Sequence, residues 1–330
     1  MDTVLKTLDE VHALAKGVLE AHGCDAENAG AVADTMRAAE RDGAKSHGLF
    51  RLPGHVALLK AGAVNGQARP AVEEVAPAAL AVRGDDGFAP LALATGLPQL
   101  AERAKAQGVA VLALTRVVHY AALWPEAEAL AADGLVAIAC TSSPPYVAAA
   151  GGKRPVFGTN PMAFAWPRAG RAPMVWDQAS AAMARGEVML HAREGHAVPE
   201  TAGIDAEGRP TTDPQAILDG GAQLPFGGYK GSAIALMVDL LAGPLLGEVT
   251  SLEAGASASI GGPQLGGELV LAIAPERLGG DMARAEGLFE ALLSEEGVRL
   301  PGDRRLANRA RTPAEGVAVP KKLMDEIAAL

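Results

Sequence analysis

The densest cluster of polar side chains near the start of the sequence is the segment RDGAKSHGLFR, residues 41–51. Within it, His47 follows Ser46, and histidine is the side chain best suited to exchange a proton near neutral pH. Arg51 lies four residues further on, and its planar guanidinium can form a bidentate pair with a carboxylate. The segment therefore predicts either a loop that donates a proton and binds an anion, or an ordinary surface loop whose polar residues are solvated.

A second segment suited to ligand binding is PPYVAAAGGKRPVFGTNP, residues 144–161. It is rich in Gly and Pro and lies between two predicted strands. Thr159 and Asn160 stand between Gly158 and Pro161, in a position that suits a rigid loop. The segment predicts a ligand-binding loop or a structural crossover between the strands.

An acidic residue, Asp177, follows the apolar run MVW on a predicted strand. An acid at the end of a buried strand is expected to be partly buried and paired, so it could orient a histidine. Aspartate is also a favoured N-cap, here for a helix that begins near Ala179. The two roles are compatible, and the sequence leaves both open.

Two further segments carry positive charge. Lys230 follows the Gly-rich run LPFGG and is predicted at the start of a helix, where the helix dipole also attracts anions. The turn LPGDRR, residues 300–305, ends in Arg304 and Arg305. Either segment could hold a phosphate or a carboxylate. The alternatives are a plain capped core helix and a solvated basic pair.

The sequence contains neither a G-x-G-x-x-G fingerprint nor a Walker A pattern. An enzyme that binds a nucleotide without these motifs must hold the phosphates by other means. Backbone amides in Gly-rich turns and scattered Arg or Lys side chains can do so.

The composition excludes several classes of protein. The chain has 330 residues, 49% of them hydrophobic and 21% charged, with a formal net charge of -10. This balance is globular, and the negative field disfavours nucleic acid. The two cysteines, Cys24 and Cys140, make no disulfide framework and no zinc site, so we predict no metal and a reducing compartment. Since the first residues do not resemble a signal peptide and no apolar run has the length of a membrane span, we expect a cytoplasmic protein without a membrane partner.

Hydrophobic periodicity predicts a helix that includes Leu5 and ends at Gly23, then a helix from the N-cap Asp25 to about Arg41. Beyond residue 71, strands and helices alternate, which indicates an α/β fold. The run AALAVRGDDG predicts a strand that leads into an Asp-Gly turn, and a later helix is expected at about 180–194.

These elements predict four regions with soft and possibly discontinuous boundaries. They are a helical N-terminal domain (1–70), a small α/β domain (71–130), a main α/β nucleotide- and substrate-binding domain (131–315), and a C-terminal helix that packs back (316–330).

Six stretches, in this order, resemble the malate/L-lactate dehydrogenase type 2 family. They are RDGAKSHGLFRLPGH, HYAALWPEAEALAADGL, GGKRPVFGTNPMAFAWP, WDQASAAMARGEV, GRPTTDPQAILDGG and LPFGGYKGSAIALMV. Together they cover most of the chain. Within that family, HYAALWPE, AREGHAVPE and RLPGDRR are most similar to the Δ1-piperideine-2-carboxylate/Δ1-pyrroline-2-carboxylate reductases.

The resemblance implies an α/β, non-Rossmann nucleotide-binding fold, with a helical N-terminal part and a mixed, largely antiparallel sheet. It implies a nicotinamide cofactor, a small-molecule carboxylate substrate, and a homodimer with sites near the subunit interface.

The resemblance also implies roles for individual residues. The catalytic set is the proton donor His47 with its polar partners Ser46 and Asp177. The substrate-binding set is Arg51, Thr159, Arg185 and Gly186. The cofactor-binding set is His119, Tyr120, Ala121, Ala122, Leu123, Gln178, Ala179, Lys230, Leu300, Pro301, Gly302, Asp303, Arg304 and Arg305.

The chain departs from the family at the run D-x-A-T-S, which is DQASA here, from Asp177 to Ala181. Ser180 keeps a hydroxyl, whereas Ala181 loses one. Arg185 stands where the imine reductases carry His. These departures concern the choice of substrate and leave the family resemblance intact.

The sequence therefore predicts NADPH-dependent reduction of cyclic imino acids, with NADH as the alternative cofactor. Δ1-Piperideine-2-carboxylate would give L-pipecolate and Δ1-pyrroline-2-carboxylate would give L-proline, with hydride added to the C=N carbon and a proton from His47 to nitrogen. One alternative on the same scaffold is a 2-hydroxy-acid dehydrogenase acting on malate, lactate, ureidoglycolate or sulfolactate. Another is an N-methyl amino acid dehydrogenase. A catalytically silent nucleotide-binding oligomer is the alternative of another class, and the Ser46–His47 pair and Asp177 argue against it.

Overall fold

Apolar residues at three- and four-residue steps make the N-terminal part helical. The computed structural model of the chain describes residues 2–118, 122–259 and 266–330. Thr7 and Glu10 form a capping box at the start of the first helix, and Asp25 caps the second, as predicted. The helices of this part are α1 (Leu8–Ala21), α2 (Ala26–Arg41) and α3 (Leu52–Lys60).

The two ends of the chain pair with each other. Strand β1 (Thr3–Lys6) lies antiparallel to β13 (Val317–Pro320), and α12 (Lys321–Ala328) follows β13. The prediction that Leu5 belongs to the first helix was therefore wrong. Because the capping box fixes the helix start at Thr7, Leu5 lies on the strand before it and is exposed.

A seven-stranded mixed sheet forms the centre of the fold, in the order β2-β3-β4-β12-β5-β8-β9. β3 and β4 are parallel, and every other neighbouring pair is antiparallel, which confirms the mixed, largely antiparallel sheet. Its strands are β2 (Ala71–Ala76), β3 (Ala79–Phe88), β4 (Val109–Val118), β5 (Val136–Thr141), β8 (Met162–Trp166), β9 (Met174–Gln178) and β12 (Gly266–Ile273).

Helices α4 (Ala89–Gln107) and α5 (Trp124–Ala132) bury their apolar residues in the core that the sheet forms. Leu112, Leu114 and Val270 supply strand residues to this core. A second core joins α1, α2 and α3 to β13 and α12. The polar loop of residues 41–51 connects α2 to α3, two helices of this second core.

The remaining elements lie outside the central sheet. A four-stranded sheet has the order β10-β11-β6-β7. Its strands are β6 (Val147–Ala148), β7 (Pro155–Phe157), β10 (Gly203–Ile204) and β11 (Ala222–Gln223). The other helices are α6 (Arg185–Glu194), α7 (Pro214–Leu218), α8 (Tyr229–Ala242), α9 (Ser251–Ser259), α10 (Met282–Leu293) and α11 (Asp303–Glu315), and short 3-10 turns span Lys45–His47, Leu49–Arg51, Glu200–Ala202, Pro244–Leu246 and Pro275–Leu278.

Two local predictions were wrong. The Asp-Gly turn is a bulge inside β3: Asp85 and Asp86 take φ angles of 54° and 57°, and the register to β4 shifts there. The helix expected from about residue 180 begins only at Arg185. Ser180 N donates instead to Thr159 O (2.7 Å) and Ala182 N to Leu224 O (2.8 Å), so these residues join neighbouring loops.

The four predicted regions remain a proposal. The central sheet takes β2, β3 and β4 from residues 71–130 and its other strands from residues 131–315. The two ranges thus share one sheet and one core.

Candidate active site

A cavity of about 1060 Å³ lies where the 3-10 turns after α2, the end of β9, the start of α6 and the start of α11 meet. It exceeds the usual volume of a pocket for one small ligand, roughly 300–1000 Å³. Most of the residues singled out in the sequence line it. Those in contact with it are Ser46, His47, Arg51, Ala122, Thr159, Asp177, Gln178, Ala179, Arg185, Gly186, Arg304 and Arg305.

Ser46 and His47 lie side by side in the first 3-10 turn. The Ser46 Oγ is 3.0 Å from His47 Nδ1. Buried Glu40 supports the turn from below, because its Oε1 accepts from Leu49 N at 2.9 Å. A Cβ on Gly48 would lie 2.1 Å from the same oxygen, so only glycine fits there. The histidine is thus held at the cavity by a fixed backbone.

Arg51 is fixed by the backbone that precedes it. Its Nε donates to Ser46 O at 2.8 Å, which orients the guanidinium toward the cavity wall. A Cβ on Gly186 would lie 2.8 Å from Arg51 Nη2, so the glycine leaves room for the guanidinium. Arg51 and Gly186, predicted together as substrate-binding residues, are in fact neighbours.

Arg185 stacks on an aromatic ring that the sequence analysis missed. Its Cζ lies 4.5 Å from the centre of the Tyr146 ring. Burial raises the pKa of the Tyr146 hydroxyl, and the nearby charges of Arg185 and Arg51 partly oppose this. Both arginines therefore lie near one phenol. Tyr146 lies in the Gly- and Pro-rich segment 144–161, which the sequence predicts as a ligand-binding loop. That prediction is the one feature of the sequence that could have pointed to Tyr146 as a site residue.

Thr159 is held by a buried polar network. The Ser143 hydroxyl accepts from Thr159 N at 3.0 Å and lies 3.3 Å from Thr159 Oγ1. Asn160, fully buried with a φ of 40°, donates to Ala235 O at 2.8 Å. Ser180 donates through Oγ to Asn160 O at 2.7 Å. The loop is therefore rigid, and the hydroxyl kept in the DQASA run supports it.

Asp177 lies in β9 and caps a helix, but not the one that follows it. Its Oδ2 accepts from Leu123 N (2.8 Å) and Trp124 N (3.1 Å) at the start of α5. A carboxylate at a helix N-terminus is favoured by the helix dipole. The predicted cap for a helix near Ala179 was therefore wrong, while the role of Asp177 in orienting His47 remains a proposal.

A pair of buried carboxylic acids lies behind Asp177. Glu268 on β12 is fully buried, and Glu126 in the first turn of α5 is nearly so. Burial raises the pKa of Glu268 to about 8, a hydrogen bond with Glu126 opposes the rise, and the charge of Asp177 adds to it. At neutral pH the pair therefore holds a proton.

The basic end of the cavity is formed by α11 and the turn before it. Arg305 donates to Val175 O at 2.7 Å and lies 5.1 Å from the Trp124 ring centre, whereas Arg304 is exposed. Gly302 takes a φ of 91°, and a Cβ there would lie 2.8 Å from Val175 O. The turn is thus packed against β9, beside the cavity.

Several predicted cofactor residues do not line this cavity. Lys230 lies exposed in the first turn of α8, and Leu300 is buried, its N donating to Asp303 Oδ2 at 2.8 Å. His119, Tyr120 and Ala121 lie outside the described residues. The predicted residues found away from the cavity lining are Leu123, Lys230, Leu300, Pro301, Gly302 and Asp303.

Asp42 also lines the cavity, but arginines hold it. Arg309 donates from Nε and Nη2 to the two Asp42 oxygens (2.9 and 2.5 Å), and from Nη1 to Glu128 (2.8 Å). Arg41 Nε donates to Asp42 at 2.7 Å. Burial would raise the pKa of Asp42, but these hydrogen bonds outweigh it and lower the pKa.

Within residues 2–118, 122–259 and 266–330 no group of three or more His, Cys, Asp or Glu side chains is arranged to hold a metal ion. The polar groups that line the cavity are the Ser46–His47 pair, guanidinium groups, hydroxyls and carboxylates.

A family model described as malate/L-lactate dehydrogenase matches residues 7–328, and the chain belongs to that family. The protein is therefore an oxidoreductase. It is 49% identical over 331 residues to a Δ1-pyrroline-2-carboxylate/Δ1-piperideine-2-carboxylate reductase of Pseudomonas aeruginosa, which covers 98% of each chain. It is 47% identical to a Δ1-pyrroline-2-carboxylate reductase of Burkholderia multivorans, over 100% of this chain and 98% of the other.

Among solved structures, the chain is similar to a Δ1-piperideine-2-carboxylate reductase from Pseudomonas syringae pathovar tomato, with a TM-score of 0.92 and 41% identity over 99% of both chains. The predicted family and the fold class are thereby confirmed, and the family implies a nicotinamide cofactor.

Proposed function

We propose that this enzyme reduces cyclic imino acids with a nicotinamide cofactor, converting Δ1-piperideine-2-carboxylate to L-pipecolate and Δ1-pyrroline-2-carboxylate to L-proline. The main observation that supports this proposal is that the Ser46–His47 pair, Arg51 and Thr159 line one cavity. The names of the relatives described above support the choice of an imine over a ketone.

The residues divide the work as follows. Arg51 and Thr159 hold the carboxylate next to the imine carbon, so the C=N bond is oriented before it reacts. The cofactor supplies a hydride for that carbon when it is bound. His47 donates a proton to the ring nitrogen, which gains it as the carbon gains hydride. Ser46, at 3.0 Å from Nδ1, fixes the imidazole ring in place.

The cavity also fits the cofactor, and we propose NADPH rather than NADH. Its volume allows a second ligand beside the substrate. Arg304, exposed at the cavity, offers a cation for a phosphate, and Ala122, Gln178 and Ala179 line the same cavity. The remaining predicted cofactor contacts, including Lys230 and residues 300–303, stay proposals.

A substrate panel tests the proposed function. Steady-state rates with NADPH and with NADH would be measured for both cyclic imines, pyruvate, oxaloacetate, and pyruvate with methylamine. We expect kcat/KM for an imine to exceed that for either 2-oxo acid clearly. A preference for a 2-oxo acid alone would move the enzyme to the hydroxy-acid branch, and a preference for the amine mixture would indicate an N-methyl amino acid dehydrogenase.

His47→Ala tests the proton donor. Loss of a general acid typically costs about 10²–10⁴ in rate, so we expect kcat to fall by that order with NADPH affinity little changed. His196→Ala, at a side chain that is 60% exposed, is the control and should keep wild-type kcat. If Asp177 orients His47, Asp177→Asn also lowers kcat and adds little to His47→Ala. A His47→Ala enzyme within a few-fold of wild type would end this mechanism.

We also propose that the protein is a homodimer. Helix α8 presents an apolar face to solvent: Leu236, Met237 and Leu240 are 48%, 41% and 51% exposed and lie within four residues of one another. Leu252, at the start of α9 nearby in sequence, is 59% exposed. A monomer rarely exposes such a patch, and a second copy would bury it. Light scattering should give a dimer mass for the wild type and a monomer for Leu240→Lys.

The same helix corrects one expectation. The window Tyr229–Leu246 is long and apolar enough to cross a membrane by composition, with 33% of it buried. Helix α8 itself is 14 residues, or roughly 21 Å, which is shorter than a bilayer core. We therefore assign the apolar face to the dimer.

Cys24 and Cys140 are both buried and free, which supports a cytoplasmic location.

A further inference from the structure

Arg185 is a cation for which the described part of the chain offers no anionic partner. It is partly buried in the cavity wall and stacks on Tyr146, yet its guanidinium makes no hydrogen bond or ion pair with any of the described residues. Burial lowers its pKa, and only the charge of Tyr146 opposes this. A guanidinium carries five donors, and a partly buried one without acceptors is costly unless a ligand supplies them.

The acids near the cavity do not supply them. Asp42 is held by Arg309 and Arg41, and Asp177 accepts from the amides at the start of α5. Glu187 lines the cavity two residues after Arg185, but it is exposed and the two are not paired. No acid among the described residues therefore pairs with Arg185, which lines the same cavity as Arg51.

We propose that Arg185, held against Tyr146, binds a second carboxylate of the substrate, so that the preferred substrates are cyclic imines with two carboxylates. This rests on the proposed function. A substrate with one carboxylate, held by Arg51 and Thr159, would leave the Arg185 guanidinium without an acceptor among the described residues. A second carboxylate supplies one. The reaction itself is unchanged: hydride goes to the imine carbon and a proton from His47 to nitrogen.

Tyr146 positions the guanidinium by its ring rather than by its hydroxyl. The main chain of Tyr146 is held in place on both sides. Tyr146 N donates to Phe157 O and Tyr146 O accepts from Gln223 N, both at 2.8 Å. Arg185 can therefore rest on a fixed surface while its donors point elsewhere. Tyr146→Phe keeps this surface and Tyr146→Leu removes it.

The test compares Δ1-piperideine-2-carboxylate with Δ1-piperideine-2,6-dicarboxylate. The wild type should show at least a 10-fold higher kcat/KM for the dicarboxylate. Because charge-assisted hydrogen bonds are the strong ones, Arg185→Gln should cut kcat/KM for the dicarboxylate about 10- to 100-fold more than for the monocarboxylate, mainly through KM. Tyr146→Leu should reduce the preference and Tyr146→Phe should retain it. Arg284→Gln, at a side chain that is 87% exposed outside the cavity, is the matched control.

A binding readout separates this proposal from the proposed function. Calorimetry with the saturated products, pipecolate and piperidine-2,6-dicarboxylate, reports on Arg185 even if neither imine is reduced. Tighter binding of the diacid that Arg185→Gln abolishes supports the second carboxylate site. Equal losses for both acids would mean that Arg185 shares one carboxylate with Arg51, and this would overturn the proposal, as would a wild type without preference for the diacid. Reduction of 2-oxo acids only would remove the proposed function instead.

Discussion

Asp42 and Glu268 are both buried carboxylic acids close to the same cavity, and the protein keeps them in opposite charge states. Asp42 is surrounded by Arg41 and Arg309, which lower its pKa against the effect of burial. Glu268 is buried too, but its neighbours are the acids Glu126 and Asp177, and its pKa is raised to about 8. Each acid is neutralised locally, one by arginines and the other by a proton.

From this difference we propose which arginines serve the fold and which serve a ligand. Arg309 is committed to two carboxylates, and Arg305 to a backbone carbonyl. Arg185 has no carboxylate among the described residues, and Arg51, which donates from Nε to Ser46 O, lines the cavity beside it. Substitutions at the first pair should change stability, and those at the second pair should change KM.

The largest expected effect is on stability, at Arg309. Its loss leaves Asp42, whose side chain is fully buried, with Arg41 alone and Glu128 with no guanidinium. Breaking a buried ion pair costs about 3 kcal/mol, so Arg309→Met should lower the free energy of unfolding by that order in urea denaturation. Arg311→Met, exposed on the same helix, should change it by less than about 0.5 kcal/mol. Equal losses from both would mean that Asp42 does not depend on Arg309.

The next effect is on substrate binding, at Arg51. Lysine keeps the charge but cannot make a bidentate pair, so Arg51→Lys should raise KM about 10- to 100-fold while NADPH still binds. The free energy of unfolding should change far less than for Arg309→Met. An unchanged KM would remove Arg51 from the substrate site and with it the proposed division of the arginines.

A third effect appears only across a pH range. An acid whose pKa is raised in the folded state stabilises the fold most at a pH below its pKa in the unfolded chain. For Glu268, this stability is lost as the pH rises from the unfolded-state pKa toward the folded-state pKa of about 8, above which the unfolding free energy no longer changes with this group. The slope from Glu268 is at most about 1.4 kcal/mol for each pH unit. Glu268→Gln, which stays neutral, should flatten the fall in unfolding free energy between pH 5 and 8. An identical slope in both proteins would show that Glu268 does not hold a proton.

The sequence predicted much of the lining of this cavity because the lining residues lie in short segments. Ser46, His47 and Arg51 are close in sequence, so one polar cluster contained all three. The sequence predicted Asp177 as a possible cap for the helix that follows it, whereas Asp177 caps α5, which lies more than 50 residues earlier. The family resemblance brought in Arg185, and it gave Thr159, already noted in its Gly- and Pro-flanked loop, a role in binding the substrate.

Contacts between distant segments could not be predicted. Tyr146 stacks on Arg185 across 39 residues of chain, and Glu268 meets Glu126 only because β12 is inserted between β4 and β5. A strand that late in the sequence gives no sign of its place in the sheet. The mixed sheet itself came from the resemblance, because alternating helices and strands favour a parallel one.

The smallest expected effect concerns the choice of cofactor, at Arg304. This residue is exposed at the cavity, and the described residues give it no carboxylate partner, whereas its neighbour Arg305 is occupied by Val175 O. An exposed cation gains only modestly from a phosphate in water. If Arg304 binds the extra phosphate of NADPH, Arg304→Gln should weaken NADPH binding by about 10-fold and leave NADH binding nearly unchanged. The difference between NADPH and NADH affinity should shrink at high salt, because screening acts on exposed charges. Fluorescence titration with both cofactors measures the two affinities. Equal kcat/KM for NADH and NADPH in the wild type would show that no residue recognises the extra phosphate, and Arg304 would then serve the pyrophosphate or no ligand at all.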